Sequence, residues 1–319
     1  MRDRRRRVGS PLAGACALVA VLLLVGCSAH PPNVAGTVAF IPGYTGGQVA
    51  APAPVEGYPS PIPVVTATLS DTSSTKMSIE LSQPYAPAGK VSFLITNAGT
   101  MDHEMVVLKT DQPAGSFDTT TGFEGEPNRF NEDAKGLTNV GETGDPAMKP
   151  GTQKMLTIDM ASGHYAIVCN LSGHYAAGMH QDFFVTPKGS TPVTASLGST
   201  DPTHMFIHLS QDFAPAGKVS FLITNDDTMK HELVGFQTAT AAGAFPIASF
   251  EGEPNRIDED KAGTAVVDTG AALPPGGYKM ITVDMASGHY AFVCNLSGHY
   301  AAGMHVDFFV TPPSAASVA

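Results

Sequence analysis

A segment of 31 residues that occurs twice, Thr157 to Pro187 and Thr282 to Pro312, is the strongest constraint on what this chain can fold into. The copies differ only at Ile158/Val283, Ile167/Phe292 and Gln181/Val306, and they stand 125 residues apart (294 − 169). Shorter stretches recur in the same order. Ala86-Pro-Ala-Gly-Lys90 returns at Ala214–Lys218, Val91-Ser-Phe-Leu-Ile-Thr-Asn97 at Val219–Asn225, and Glu124-Gly-Glu-Pro-Asn-Arg129 at Glu251–Arg256. Two copies of one domain follow, and 319 residues leave room for both.

The pattern inside each copy is that of strands. Met77, Ile79 and Leu81 alternate with Ser78, Glu80 and Ser82, the signature of a half-buried strand. Further strands are predicted over 91–96, 103–108, 155–160, 164–169 and 179–186. Turn residues such as Ala86-Pro-Ala-Gly-Lys90 separate them. With 33 Gly, 25 Pro and no Trp, the chain reads as all-β. Alternation places Tyr165, Ile167 and Cys169 on one face, which should point inward. His164 and His289 then fall on the opposite face, where a turn or surface role is expected.

The repeated segment holds Cys169, His174 and Met179 at C-x4-H-x4-M spacing, and again Cys294, His299 and Met304. A thiolate, an imidazole and a thioether on one loop form a soft donor set that suits copper, and a His2Cys site with a weak axial Met needs one more His. That residue should precede the loop in both copies. His103, in Met101-Asp-His103-Glu104, and His231, in Met229-Lys-His231-Glu232, meet the requirement. The expected ligand sets are His103, Cys169, His174, Met179 and His231, Cys294, His299, Met304, for two copper ions, one per repeat.

At these residues the chain resembles the cupredoxins, the blue (type 1) copper proteins. The long ligand loop is most similar to the rusticyanin, sulfocyanin and auracyanin branch. The resemblance covers both repeats and implies two tandem cupredoxin Greek-key β-sandwich domains. It also implies a short helix in the polar crossing stretch 113–150, and one-electron transfer through the exposed loop residues His174 and His299. Copper storage or delivery is the alternative function. A copper oxidoreductase, such as a nitrite reductase or small laccase, is a third. Those enzymes resemble two-domain cupredoxins but build a second copper centre from H-x-H pairs and a His beside the Cys. Here there is no H-x-H, Cys169 lies between Val168 and Asn170, and Cys294 lies between Val293 and Asn295. A redox carrier rather than an enzyme is therefore expected. The 13 Met are scattered, which disfavours a chaperone. Glu104 and Glu232, each directly after the first His, depart from the family pattern.

The N-terminus reads as a targeting segment. Arg4 to Arg7 precede the apolar Leu12 to Val25, and Leu24-Val25-Gly26-Cys27 resembles a bacterial lipobox. Cys27 is the expected lipidation site, giving an extracytoplasmic protein anchored to a membrane. The expected organisation is 1–27 signal and lipobox, 28–63 Pro/Gly/Ala-rich tether, 64–188 first domain, 189–192 linker, 193–313 second domain and 314–319 tail. Cys16 would leave with the signal, so Cys169 and Cys294 remain, each beside its own His and Met and expected to be free thiols. Net charge is −11, and loss of five Arg and one Asp with residues 1–26 makes it −15 (−11 − 4). That balance excludes nucleic acid as a partner and suits a redox donor or acceptor with a basic face.

Other candidates have blander readings. His204 and His208 would share a helix face, but in a strand four residues span roughly 13 Å, too far for one ion; exposed strand histidines are expected. His180 and His305 should lie at the surface. The acidic stretches 124–133 and 251–260 are expected to be solvated loops, with docking of a basic partner as the alternative.

Overall fold

The computed structural model describes residues 62–312; Cys27, most of the expected tether and the tail lie outside them. The fold is essentially all-β, with two sheet-rich lobes of the tandem cupredoxin-like β-sandwich type. The first lobe contains β1 (Val64–Ser73), β2 (Lys76–Leu81), β3 (Tyr85–Pro87), β4 (Gly89–Asn97), β5 (Val106–Lys109), β6 (Thr138–Glu142), β7 (Gln153–Met160), β8 (Gly163–Val168) and β9 (His180–Thr186). The second repeats them as β10 (Thr191–Asp201), β11 (His204–Leu209), β12 (Phe213–Pro215), β13 (Gly217–Asn225), β14 (Val234–Gln237), β17 (Thr264–Asp268), β18 (Tyr278–Met285), β19 (Gly288–Val293) and β20 (His305–Thr311). It adds a hairpin, β15 (Ile247–Phe250) and β16 (Glu253–Ile257), and one helical turn, α1 (Glu259–Ala262).

Each lobe packs a four-stranded sheet, β2-β1-β4-β7 or β11-β10-β13-β18, against a five-stranded one, β3-β9-β8-β5-β6 or β12-β20-β19-β14-β17. Alternation decides what lies between them. Val65, Ala67 and Leu69 of β1, Tyr165 and Ile167 of β8 and Cys169 just beyond it all face the first core, with Phe93 edge-on to Phe183 at 5.3 Å. The opposite face of β8, Ala166 and Val168, packs instead against Phe117, Phe130 and Tyr175. The crossing stretch thus covers the outer side of the Cys strand.

Three details differ from the sequence reading. Among the described residues of the first lobe the crossing stretch has no helix, and its one extended piece is β6, paired with β5. Thr138-Asn-Val-Gly-Glu142 lacks apolar alternation, so tertiary pairing at a sheet edge makes this strand. The second lobe has the helix, reduced to four residues. β10 begins at Thr191, inside the expected linker, because pairing with β13 already starts at Thr191↔Val219. His164 is buried rather than superficial. It bonds the Thr110 carbonyl (2.8 Å) and Asp182 (2.8 Å) and stacks on Tyr278 of the second lobe. No helix among the described residues is long and apolar enough to cross a membrane.

Candidate metal centre

Each lobe gathers three donors. His103, Cys169 and His174 in the first, and His231, Cys294 and His299 in the second, place one ligand atom each within 4.8 Å of the others. The two imidazoles face through Nδ1 at 3.1 Å in both lobes. The sulfur lies 3.5 Å from Nδ1 of His174 and 3.4 Å from Nδ1 of His299. Both thiols are free and buried.

Backbone bonds build this arrangement. Cys169 directly follows β8, and its N–H donates to the Met179 carbonyl at 3.0 Å, closing the loop on itself. Met179 N–H in turn donates to His174 O (3.2 Å), so His174 is held between the two. Met179 and Met304 are fully buried in the same cores as the cysteines. Gly178 sits at φ +108, and a Cβ there would lie 2.8 Å from the Met77 carbonyl. Only glycine lets the loop approach β2 and accept the bond from Met77 N–H to Ala177 O. His103 stands between β4 and β5, bridged to Met148. Its loop hangs on buried Asn97, whose amide donates to Met101 O (2.8 Å) and Met148 O (2.7 Å). Asn225 does the same to Met229 and Leu273.

The surroundings prepare the donors. Asp71 accepts from His103 Nε2 at 2.9 Å, and Asp227 from His231 Nε2 at 2.8 Å. A carboxylate only accepts, so Nε2 carries the proton and Nδ1 turns its lone pair inward. The Thr100 hydroxyl, the His103 ring and two backbone amides hold the Asp71 carboxyl well below the usual range. Burial pushes both cysteine thiols up to about 12. Glu104 and Glu232 each donate a backbone N–H to the sulfur, at 3.5 and 3.4 Å. Burial, and secondarily the neighbouring imidazole, lowers His174 and His299. Both remain half-exposed, while His103 and His231 are buried.

This donor set fits a soft or borderline transition metal. Two Nδ1 lone pairs and a sulfur converge, and a thiol that burial keeps protonated would ionise on a metal. Glu104 and Glu232 act elsewhere. Their carboxylates accept the N–H of Asn170 (3.0 Å) and Asn295 (3.1 Å), next to each cysteine. Asn170 and Asn295, both buried, then tie the Cys strand to the crossing stretch at Phe130 and Ile257.

Sequence reasoning missed these supports. The two asparagine pairs carried a signal, since each recurs at the same place in both repeats. Asp71 also carried one, as the carboxylate in line with Val65, Ala67 and Leu69 on the inward face of β1. Of the remaining candidates, His204 and His208 are exposed on β11. His180 and His305 are half-buried rather than superficial, packed against Tyr175 and Tyr300 at 5.2 Å. The acidic stretches ring an arginine in each lobe, half-buried Arg129 in the first and buried Arg256 in the second. Arg129 reaches Glu124 and Glu126, and Arg256 reaches Glu251, Glu253 and Glu259.

Burial raises Glu104 and Glu232 from 4.5 to about 7. Between those values the folded protein keeps protons that the unfolded chain has released. Their contribution to stability is therefore greatest at the acid end and falls as pH climbs to about 7. The lowered histidines work in the opposite sense, so the readout is a difference between proteins. Relative to the wild type, metal-free Glu104→Gln/Glu232→Gln should gain thermal stability at pH 8 over pH 5. An equal change at both pH values would refute this assignment.

Residues 64–196 match the family model described as Sulfocyanin (SoxE) domain. No curated protein matches the chain. Among solved structures, reduced auracyanin from Roseiflexus castenholzii is 22% identical over 37% of this chain and 97% of its own, with a TM-score of 0.27. A reduced rusticyanin is 23% identical over 39% of this chain and 81% of its own, with a TM-score of 0.27. Copper nitrite reductase from Nitrosomonas europaea is 14% identical over 78% of this chain and 94% of its own, with a TM-score of 0.35. Likenesses of that degree carry no weight for the chemistry, which rests on this chain's own residues. The sulfocyanin-domain match, the repetition of the fold in the second lobe and a His/Cys cluster in each make this a cupredoxin-like protein with two candidate copper-binding sites.

Proposed function

We propose that the chain is an electron carrier with two type 1 copper sites. The first comprises His103, Cys169, His174 and Met179, and the second His231, Cys294, His299 and Met304. The observation behind this reading is the convergence, twice, of one sulfur and two imidazole nitrogens within 4.8 Å. Copper held by these residues would supply one-electron exchange between Cu(II) and Cu(I), with each Met offering a weak thioether donor beside the two imidazoles and the thiolate.

The chain's own residues keep the site rigid and dry. The asparagines hold the ligand loops, the aspartates fix the imidazoles, and the Glu104 and Glu232 amides bond the sulfurs. Donors so restrained need not move when charge changes. His174 and His299, the half-exposed ligands, are the edges through which an electron enters or leaves. The same rigidity disfavours storage or delivery, where the ion must be released. The lack of any H-x-H pair, and Val and Asn on either side of each Cys, favour a carrier over a catalyst. The lipobox-like Leu24–Cys27 favours an extracytoplasmic, lipid-anchored protein, and the acidic balance a basic redox partner.

Titration of the metal-free protein with Cu(II) should saturate at two equivalents, with intense visible charge-transfer absorption lost reversibly on one-electron reduction. Saturation at one equivalent, or a colourless product, would overturn the reading.

A further inference from the structure

The two lobes belong to one compact unit, and their contact joins unlike faces of the two copies. In the first lobe, strand register aligns Tyr85 with Phe184 and Phe184 with His164 across the outer face of the five-stranded sheet. This row is met by the outer face of the second lobe's four-stranded sheet. There Leu222 is registered with Met280, and Tyr278 lies two residues before it. Tyr278 stacks on His164 at 3.8 Å, bonds its Nδ1 at 2.7 Å and meets Phe184 edge-on at 5.3 Å. Leu222, Tyr85 and Phe184 line a common cavity of about 440 Å³. Phe184 is 2% exposed and Leu222 1%.

Each lobe carries both faces, so one of each is left over. The second lobe repeats the aromatic row as Phe213, Phe309 and His289 in the same register. Here Phe213 is 56% and Phe309 50% exposed. The first lobe repeats the covering face as Leu94, registered with Met155, and Gln153. Leu94 is half-buried and Met155 53% exposed. Where no described residue covers them, Leu94 and Met155 keep the types of Leu222 and Met280, Phe213 is more apolar than its counterpart Tyr85, and only Gln153 is more polar. Neighbouring large apolar side chains in the open mark an interaction surface. Gln153 replaces Tyr278 with an amide that can still bond the His289 imidazole.

We propose that a second copy of this chain docks there, its Leu94–Met155–Gln153 face seated on the Phe213–Phe309–His289 face as the second lobe sits on the first. Because the joined faces differ, the association is head-to-tail and proceeds to a closed ring or an open chain. It needs no copper, so its failure would leave the copper reading standing.

The test uses the full chain bearing Cys27→Ser, which removes the expected lipid as a cause of association. Sedimentation should show the mass rising with concentration from one chain to two or more. Phe309→Asp and Met155→Asp should each remain a single chain with unchanged far-ultraviolet circular dichroism, since both side chains are exposed. An equimolar mixture of the two variants should form a two-chain species and stop there. Each variant keeps the face the other has lost, and the faces left over are the two mutated ones. A parent that stays single at every concentration overturns the proposal, whether residues 1–61 or another partner cover the faces. If Met155→Asp associates like the parent while Phe309→Asp does not, the aromatic patches pair with each other and the head-to-tail assembly is wrong. Phe309-dependent flotation of a single-chain parent with phospholipid vesicles would assign the patch to a membrane and equally overturn it.

Discussion

Cys169→Ser should remove about half of the visible copper absorption and leave the rest unchanged, since sulfur-to-copper charge transfer disappears with the sulfur. The remaining half belongs to the second lobe, whose ligand segment is almost a copy of the first. Each cluster draws all three grouped donors from one lobe, and none crosses between them. Cys294→Ser should be the mirror image, and the double variant colourless. All three should stay folded. The hydroxyl still receives the Glu104 amide that now meets Sγ at 3.5 Å, which limits the cost of burying it to about 1–3 kcal/mol. Absorption and circular dichroism on the three variants decide the matter. A folded single variant without any colour would mean that the sites share ligands, and would raise the enzyme reading.

The second large effect concerns the carboxylate behind the first histidine, which the two lobes supply from different places. In the first lobe it is Asp71, at the end of β1, and the facing loop position is Gly99. In the second the β1 equivalent is Ser199, and the loop position is Asp227. Ser199↔Met205 and Asp71↔Met77 occupy the same register. The exchange is concerted. A side chain on Gly99 would run into the Asp71 carboxylate and crowd His103 Nε2 at 2.7 Å, whereas small Ser199 leaves room for Asp227 and bonds it. Asp71→Ser should therefore orphan His103 Nε2 in the core and weaken copper binding at the first site by about 10- to 100-fold, the usual loss when a supporting hydrogen bond to a metal-binding histidine is removed. Asp71→Ser/Gly99→Asp should recover most of it by rebuilding the second lobe's arrangement. The measurements are copper affinity and reduction potential in a Cys294→Ser background, with the His103 tautomer followed by nitrogen NMR in the metal-free protein. A double variant no better than Asp71→Ser would show that the carboxylate does not position the ring.

That exchange marks the boundary of what the sequence determines. The His/Cys clusters were legible because soft-metal chemistry restricts donors to few residue types and the repeat presents them twice at one spacing. The same repetition, read with strand alternation, determined the two-lobed all-β class and the inward direction of Cys169. Position-by-position comparison finds only what both copies place alike, so it passes over Asp71 and Asp227. They come from different elements: Asp71 reaches His103 only once β1 lies beside β4, whereas Asp227 stands in the same loop as His231. The strand at Thr138–Glu142, the burial of His164 and the open Phe213–Phe309 row depend likewise on neighbours distant in sequence. Local pattern assigns each residue a face within its own strand. What that face meets is decided by sheet pairing and lobe packing, where long-range pairing and burial outweigh the local preference of a five-residue stretch without apolar alternation or of one histidine.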